Sequence, residues 1–335
     1  MEWYQTALLV AACVIAFVLV AAFVAAVVIT LIITRLRHPK VRPSHADMRQ
    51  ANINMGGVDF DAYDQYEKEF FTIHASGPKG HRGRGADIAC EFLPVQNPGP
   101  GPAKCLIRAH GFGVNKITSV RYVQILRELG YSAVIYDQRS FGGSTGICSL
   151  GYYERQDLAA IVAWVRARLG EDTIIGLHGE SLGAITILEA LELVPGIAFA
   201  IPDSCSTTVF STFKAVTRLP AFPFLSGINL WARLRHGADL RDVRPIDRVA
   251  NSDVPILFIH GTKDWPMPYT ESEKLYAAAK NPLSRLELFE GVWHTGAHMM
   301  EPERYVNAVH DFVKSAEARA AEEEWRSTRC SANTK

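Results

Sequence analysis

The chain reads as an α/β protein, a mostly parallel eight-stranded sheet with helices on both faces and a small helical cap, preceded by one transmembrane helix. Three observations predict this. Short β-rich runs alternate with helical stretches from Phe70 onward, which is how a parallel sheet with helical crossovers is written. A serine flanked by glycines, Gly179-Glu180-Ser181-Leu182-Gly183, falls between one such run and the helical stretch after it. The 27 residues from Ala7 to Ile33 carry no charge, and Thr30 alone among them is not apolar.

At the N-terminus, 27 helical residues reach roughly 40 Å, against about 30 Å for a bilayer's hydrocarbon core. The residues before this run include Glu2 and no Lys or Arg, and the run is about twice as long as the core of a signal peptide. Residues 1–37 are therefore read as an anchor rather than a cleaved leader, with Trp3 and Tyr4 at the outer interface. Arg35, Arg37, Lys40 and Arg42 follow it. The positive-inside rule then makes this a single-pass protein of the cell membrane with its larger domain in the cytoplasm. Residues 38–66 are polar, contain Pro39, Pro43 and Gly56-Gly57, and read as a juxtamembrane linker able to fold in part onto the domain.

The domain is expected over 67–316. Its strands are Phe70–Ala75, Asp87–Leu93, Lys104–Ala109, Ser132–Tyr136, Thr173–Leu177, Ala198–Ile201, Pro255–Ile259 and Arg285–Phe289, the first two or three in antiparallel hairpins. Helical patterns cover Lys116–Leu129, Tyr152–Leu169, Leu182–Leu193, Thr270–Ala279 and Pro302–Ala320. A cap insertion is placed at about 205–251, where Pro220 and Pro223 break the chain into short helices. Residues 317–335 form a charged tail.

Composition narrows the classes. With 335 residues, 48% of them hydrophobic, the chain has material for a full core, so disorder is excluded. Thirty-five basic residues against 35 acidic ones leave no excess to neutralise phosphates, so no nucleic-acid partner is expected. Six cysteines show no CxxC or metal-ligand spacing and read as free thiols.

The chemistry lies in the strand-end loops. Glycines two residues either side of a serine suit a strained strand-to-helix elbow, with the hydroxyl lifted above the sheet at a helix N-terminus. Upstream, the strand ending at Ala109 runs into His110-Gly111-Phe112-Gly113, a loop able to offer a backbone N–H to a substrate oxygen. The oxyanion hole is assigned to the amides of Phe112 and Leu182. A serine nucleophile needs a base, and the base an orienting acid. Asp264 follows one strand in His260-Gly261-Thr262-Lys263-Asp264, and His294 follows the last strand in Gly291-Val292-Trp293-His294. Asp203 is a rival for the acid and His298 for the base, while His178 and His260 read as packing or hydrogen-bonding residues. His294 and His298 lack the intervening glutamate of a zinc-protease helix, so the pair reads as one base plus one bystander, and acyl transfer by a serine calls for no metal and no organic cofactor.

These motifs, in this order, resemble the serine α/β-hydrolase family, in its esterase-like branch allied to prolyl-oligopeptidase-type enzymes. The similarity continues through Tyr136-Asp137-Gln138-Arg139-Ser140-Phe141-Gly142-Gly143-Ser144, through Gly151-Tyr152-Tyr153-Glu154-Arg155-Gln156-Asp157 and through Val254-Pro255-Ile256-Leu257, and so covers about Phe70 to Val313. Two features depart from the pattern: Met267 in the acid loop, and a long Gly/Arg-rich hairpin from Gly77 to Gly85. The resemblance implies the α/β-hydrolase fold and ester hydrolysis through an acyl-enzyme, with Ser181 as nucleophile, His294 as base and Asp264 as acid. The partner expected is a small-molecule ester. Substrate contacts are assigned to Phe210, Phe213 and Trp231 of the cap and to Trp265 and Trp293 beside the catalytic loops. A serine peptidase or amidase of the same fold, and a non-catalytic membrane-tethered binding protein, remain as alternatives.

Overall fold

In the computed structural model the described residues are 3–35, 43–56, 58–75, 85–218 and 224–332. The Gly/Arg-rich hairpin up to Arg84, Pro220, Pro223 and most of the basic cluster Arg35–Arg42 fall outside them, although Arg35 itself ends the first helix.

Among the described residues eight strands form one sheet: β1 (Glu69–Ala75), β2 (Ala86–Leu93), β3 (Lys104–Ala109), β4 (Ser132–Tyr136), β5 (Ile174–Glu180), β6 (Ile197–Asp203), β7 (Leu257–Gly261) and β8 (Arg285–Phe289). Their order is β1-β2-β4-β3-β5-β6-β7-β8. β1 pairs with β2, and β2 with β4, in antiparallel register; every pair from β4–β3 onward is parallel. The third strand is thus not part of a hairpin. The chain after β2 crosses over, and β4 takes the place between β2 and β3.

Alternation within the buried strands serves two cores. In β7, Phe258 faces one cluster with Leu158, Ile161, Ile187 and Leu275, whereas Leu257 and Ile259 face another with Val123, Leu126, Val309 and Phe312. Helices α5 (Glu154–Leu169), α6 (Leu182–Ala190) and α10 (Thr270–Ala278) cover the first face. The second is covered by α4 (Val120–Arg127), the short α11 (Ala297–Met300) and α12 (Pro302–Ala332). α12 buries Tyr305, Val309, Phe312, Val313 and Ala316, a helical spacing, and its helix runs on to Ala332.

The N-terminal helix α1 spans Trp3–Arg35. Its segment Trp3–Ala25 is long and apolar enough to cross a membrane and is almost wholly unburied. The expected linker is more structured than its composition suggests. Within it are α2 (His45–Met55), opened by a reciprocal Ser44–Asp47 capping box, and α3 (Phe60–Gln65), capped by Asp59. Both dock on the domain: Tyr63 donates its hydroxyl to buried Glu91 at 2.5 Å, and His45 meets buried Asp137 at 3.1 Å. The cap contains α7 (Val209–Thr217), α8 (Ser226–His236) and α9 (Pro245–Ala250).

Candidate active site

β5 runs three residues further than the sequence suggests, so Ser181 follows the strand directly and caps α6. Its backbone has φ 54° and ψ −116°, a strained conformation for a residue with a side chain. The flanking glycines are required by contact. A Cβ on Gly179 would lie 2.3 Å from the Gly183 carbonyl oxygen, and one on Gly183 would lie 2.1 Å from that of Ala109. The elbow is so tight that helix and strand backbones touch, and only glycine leaves room.

Ser181, Asp264 and His294 come from three loops and meet at one point. The loops after β7 and β8 are tied together, because the Lys263 amide donates to the Val292 carbonyl at 2.9 Å. His294 Nδ1 lies 2.6 Å from Asp264 Oδ2, and His294 Nε2 lies 2.9 Å from Ser181 Oγ. An ionised carboxylate only accepts, so Nδ1 carries the proton and Nε2 accepts from the serine hydroxyl. Burial disfavours the Asp264 charge, but hydrogen bonds from His260 and His294 outweigh it and hold the carboxyl at about 2. The Met267 amide adds a third donor at 2.9 Å.

The rival residues are occupied elsewhere. Asp203 accepts from Ser204 at 3.1 Å and from Tyr305 at 3.3 Å, and burial raises its carboxyl to about 6. His298 lies among the rings of Tyr122 and Tyr305, and burial lowers its imidazole to about 4. The two histidines of the HxxxH pair therefore point into different environments, and among the described residues no group of three or more His, Cys, Asp or Glu side chains is placed to hold a metal ion.

One contact escaped the sequence reading. His260 is fully buried, with Nε2 at 2.7 Å from the Met267 carbonyl and 3.1 Å from Asp264 Oδ2, and Nδ1 at 2.7 Å from Ser272 Oγ. A carbonyl can only accept, so Nε2 bears the proton and His260 stands behind Asp264 as a donor. The signal was its place at the end of β7, four residues before the acid. Behind the elbow, Glu180 accepts from Tyr122 at 2.8 Å and pairs with fully buried Arg108 at 3.0 Å. Sequence spacing cannot reveal that network, because its members come from β3, α4 and β5.

The loop His110–Gly113 is braced by the turn at Asp137–Ser144. The Gln138 amide donates to His110 Nε2 at 2.9 Å, Thr186 donates to Gln138 Oε1 at 2.8 Å, and the Phe112 and Phe141 rings meet edge to face at 5.3 Å. Arg139 in turn donates to Asp157 at 2.6 Å with both side chains buried, which joins the two outlying motifs of the sequence.

Phe112 and Leu182 line a cavity of about 270 Å³ that also exposes Ser181 and His294, with walls from Ile185, Val209, Phe213, Val216, Pro266 and Met267. Of the five substrate contacts expected, Phe213 alone lines this cavity. Phe210 packs on the core, and Trp231 lies against Phe23 of α1, ring centroids 6.5 Å apart. Trp265 and Trp293 are 72% and 52% exposed.

Sheet, elbow and meeting loops have the architecture of the α/β-hydrolase fold. Comparisons with known proteins agree. The model of the X-Pro dipeptidyl-peptidase (S15) family matches residues 63–214, which include the Ser181 elbow but neither Asp264 nor His294. An uncharacterised Bacillus subtilis protein, YqkD, is 29% identical over 80% of this chain and 86% of its own. The Pyrococcus furiosus esterase Pf2001 superposes with a TM-score of 0.60 at 21% identity, covering 78% of this chain and 94% of that one. Est1E from Butyrivibrio proteoclasticus, solved with ferulic acid bound, gives 0.58 at 20% identity over 74% and 99%.

Proposed function

We propose that the protein is a membrane-anchored serine hydrolase that cleaves carboxylic esters through an acyl-enzyme, held by α1 with the hydrolase domain on the cytoplasmic side. The observation that carries the reading is the continuous chain from Asp264 through His294 to Ser181, at 2.6 and 2.9 Å, opening on an apolar cavity. His294 Nε2 takes the hydroxyl proton as Ser181 Oγ attacks the ester carbonyl, and Asp264 stabilises the imidazolium that forms. The amides of Phe112 and Leu182 receive the developing oxyanion. His294 then protonates the leaving alkoxide, and water, deprotonated by the same nitrogen, releases the acid. The cavity, just below the ~300 Å³ at which pockets for drug-sized ligands begin, suits an acyl group rather than a polymer.

Labelling by a fluorophosphonate probe and hydrolysis of p-nitrophenyl esters, both lost in Ser181→Ala, test the reading. Full esterase activity in that variant sinks it. Labelling of Cys330 from outside intact cells would overturn the orientation. A second reading, a serine peptidase, is favoured by the S15 family match. Faster turnover of X-Pro p-nitroanilides than of p-nitrophenyl esters would select it.

A further inference from the structure

Helix α8 has two apolar faces. Leu225 just before it, and Ile228 and Ala232 within it, are buried against the domain. On the opposite side Leu230 and Leu234, one helical turn apart, are 47% and 70% exposed. A cap helix of a soluble protein has no reason to present a leucine stripe to water, so its surroundings must be sought elsewhere in the chain.

They are given by α1. Helices α1 and α8 pack together, with Ala22 buried and the Phe23 ring against Trp231. Ala22 and Phe23 lie roughly 30 Å along the helix axis from Trp3. That is the thickness of a bilayer's hydrocarbon layer, about 30 Å. If Trp3 and Tyr4 mark one interface, the contact with α8 marks the other. The composition of α8 suits that depth: Leu230, Trp231 and Leu234 provide an apolar side, while Arg233, paired with Asp239 at 3.5 Å, and His236 would be costly further in and are favourable beside lipid headgroups.

We infer that α8 lies in the membrane interface on the side away from Trp3, its Leu230–Leu234 face seated on the bilayer, and that the substrate is an ester whose acyl chain resides in that bilayer. The inference rests on the anchored ester-hydrolase reading above. Only eight residues, 218–225, separate α8 from α7, whose Val209, Phe213 and Val216 form a wall of the cavity, and both helices rest on the turn Leu240–Asp242. Seating α8 therefore holds the cavity wall at the lipid surface, where an acyl chain passes from bilayer to pocket without crossing water.

The test uses the full chain reconstituted in phosphatidylcholine vesicles. A nitroxide is placed either on native Cys13, in the span, or on Leu234→Cys in a Cys13→Ala, Cys148→Ala, Cys330→Ser background. Collisions with oxygen and with a polar nickel chelate are compared. Both labels favouring oxygen is the expected result. Position 234 reporting water while Cys13 reports lipid overturns this inference and leaves the anchor standing, whereas water at both positions overturns the two together. In parallel, Leu230→Asp with Leu234→Asp is expected to slow hydrolysis of a long-chain fluorogenic ester held in the vesicles at least tenfold, with p-nitrophenyl acetate turnover within twofold of the parent. Equal rates on the vesicle-held ester, or an equal loss on both substrates, count against membrane seating. Absence of acetate turnover in the parent chain would instead strike at the ester-hydrolase reading.

Discussion

The strand-end loops and the cap meet at the same cavity but are built differently. Around Ser181 each side chain of the reacting chain has a buried partner: Asp264 is held by His260 and the Met267 amide, and the elbow is backed by Glu180, Tyr122 and Arg108. The cap wall is a short helix presenting Val209, Phe213 and Val216, held by apolar packing and a local Thr208–Ser211 capping box. Proton transfer needs atoms placed within about 0.5 Å, which a sheet can supply through several crossing hydrogen bonds. An acyl pocket needs only volume and dryness, which apolar side chains give with slack. Changes on the sheet side should therefore be severe and independent of substrate. Those on the cap side should be mild and dependent on it.

The largest effect is expected from Ser181→Ala, a fall in kcat of roughly 10⁵ to 10⁶ on every ester tried, with an unchanged circular dichroism spectrum. Asp264→Asn is expected to cost about 10⁴ in kcat, because the amide no longer selects the tautomer in which Nε2 accepts. It also reports on acid stability. The Asp264 carboxyl is held below its unfolded value, so its stabilisation is complete above about pH 4 and is lost as the pH falls through 2. Urea midpoints across that window should fall less steeply in the asparagine variant. A cap change, Val216→Phe, fills the cavity from its rim; it should lower kcat/KM for octanoyl relative to acetyl esters by about tenfold and leave acetyl turnover near the parent rate. A uniform loss on both esters would dissolve the contrast between the two regions.

The smallest effect concerns Asp203, beside the elbow but outside the reacting chain. Burial raises its carboxyl to about 6, so the folded protein holds a proton there that the unfolded chain has released, and stability drops as the pH rises from about 4 to 6. Asp203→Asn should flatten that slope in thermal midpoints while retaining esterase activity, as expected of a residue bonded to Tyr305 and Ser204 rather than to His294.

Much of this was legible from the sequence. The eight strands and the main helices lie where the alternation of apolar runs puts them, because burial on both faces of a sheet leaves a direct mark on residue order. The strand-end positions of Ser181, Asp264 and His294 were legible too, since a glycine-bounded elbow and loops after strands are local features. The aromatic substrate contacts were not. Trp265 and Trp293 were assigned by their place beside the catalytic loops and Trp231 as one of the cap's aromatics, and the direction of a side chain in a loop or on a cap helix depends on what packs against it. In the polar stretch before β1, a capping box and a tyrosine reaching a buried glutamate make docked helices, a docking that composition alone does not show.

Local chemistry along the chain was thus sufficient to determine the sheet, the elbow and the residue types available at its edge. Which acid meets which histidine, where β4 inserts, and that α8 leans on α1 were decided only in three dimensions. The physical reason is that strand order and side-chain pairing minimise a packing energy summed over the whole core, in which residues as far apart as Ser181 and His294, 113 positions, contribute as strongly as neighbours.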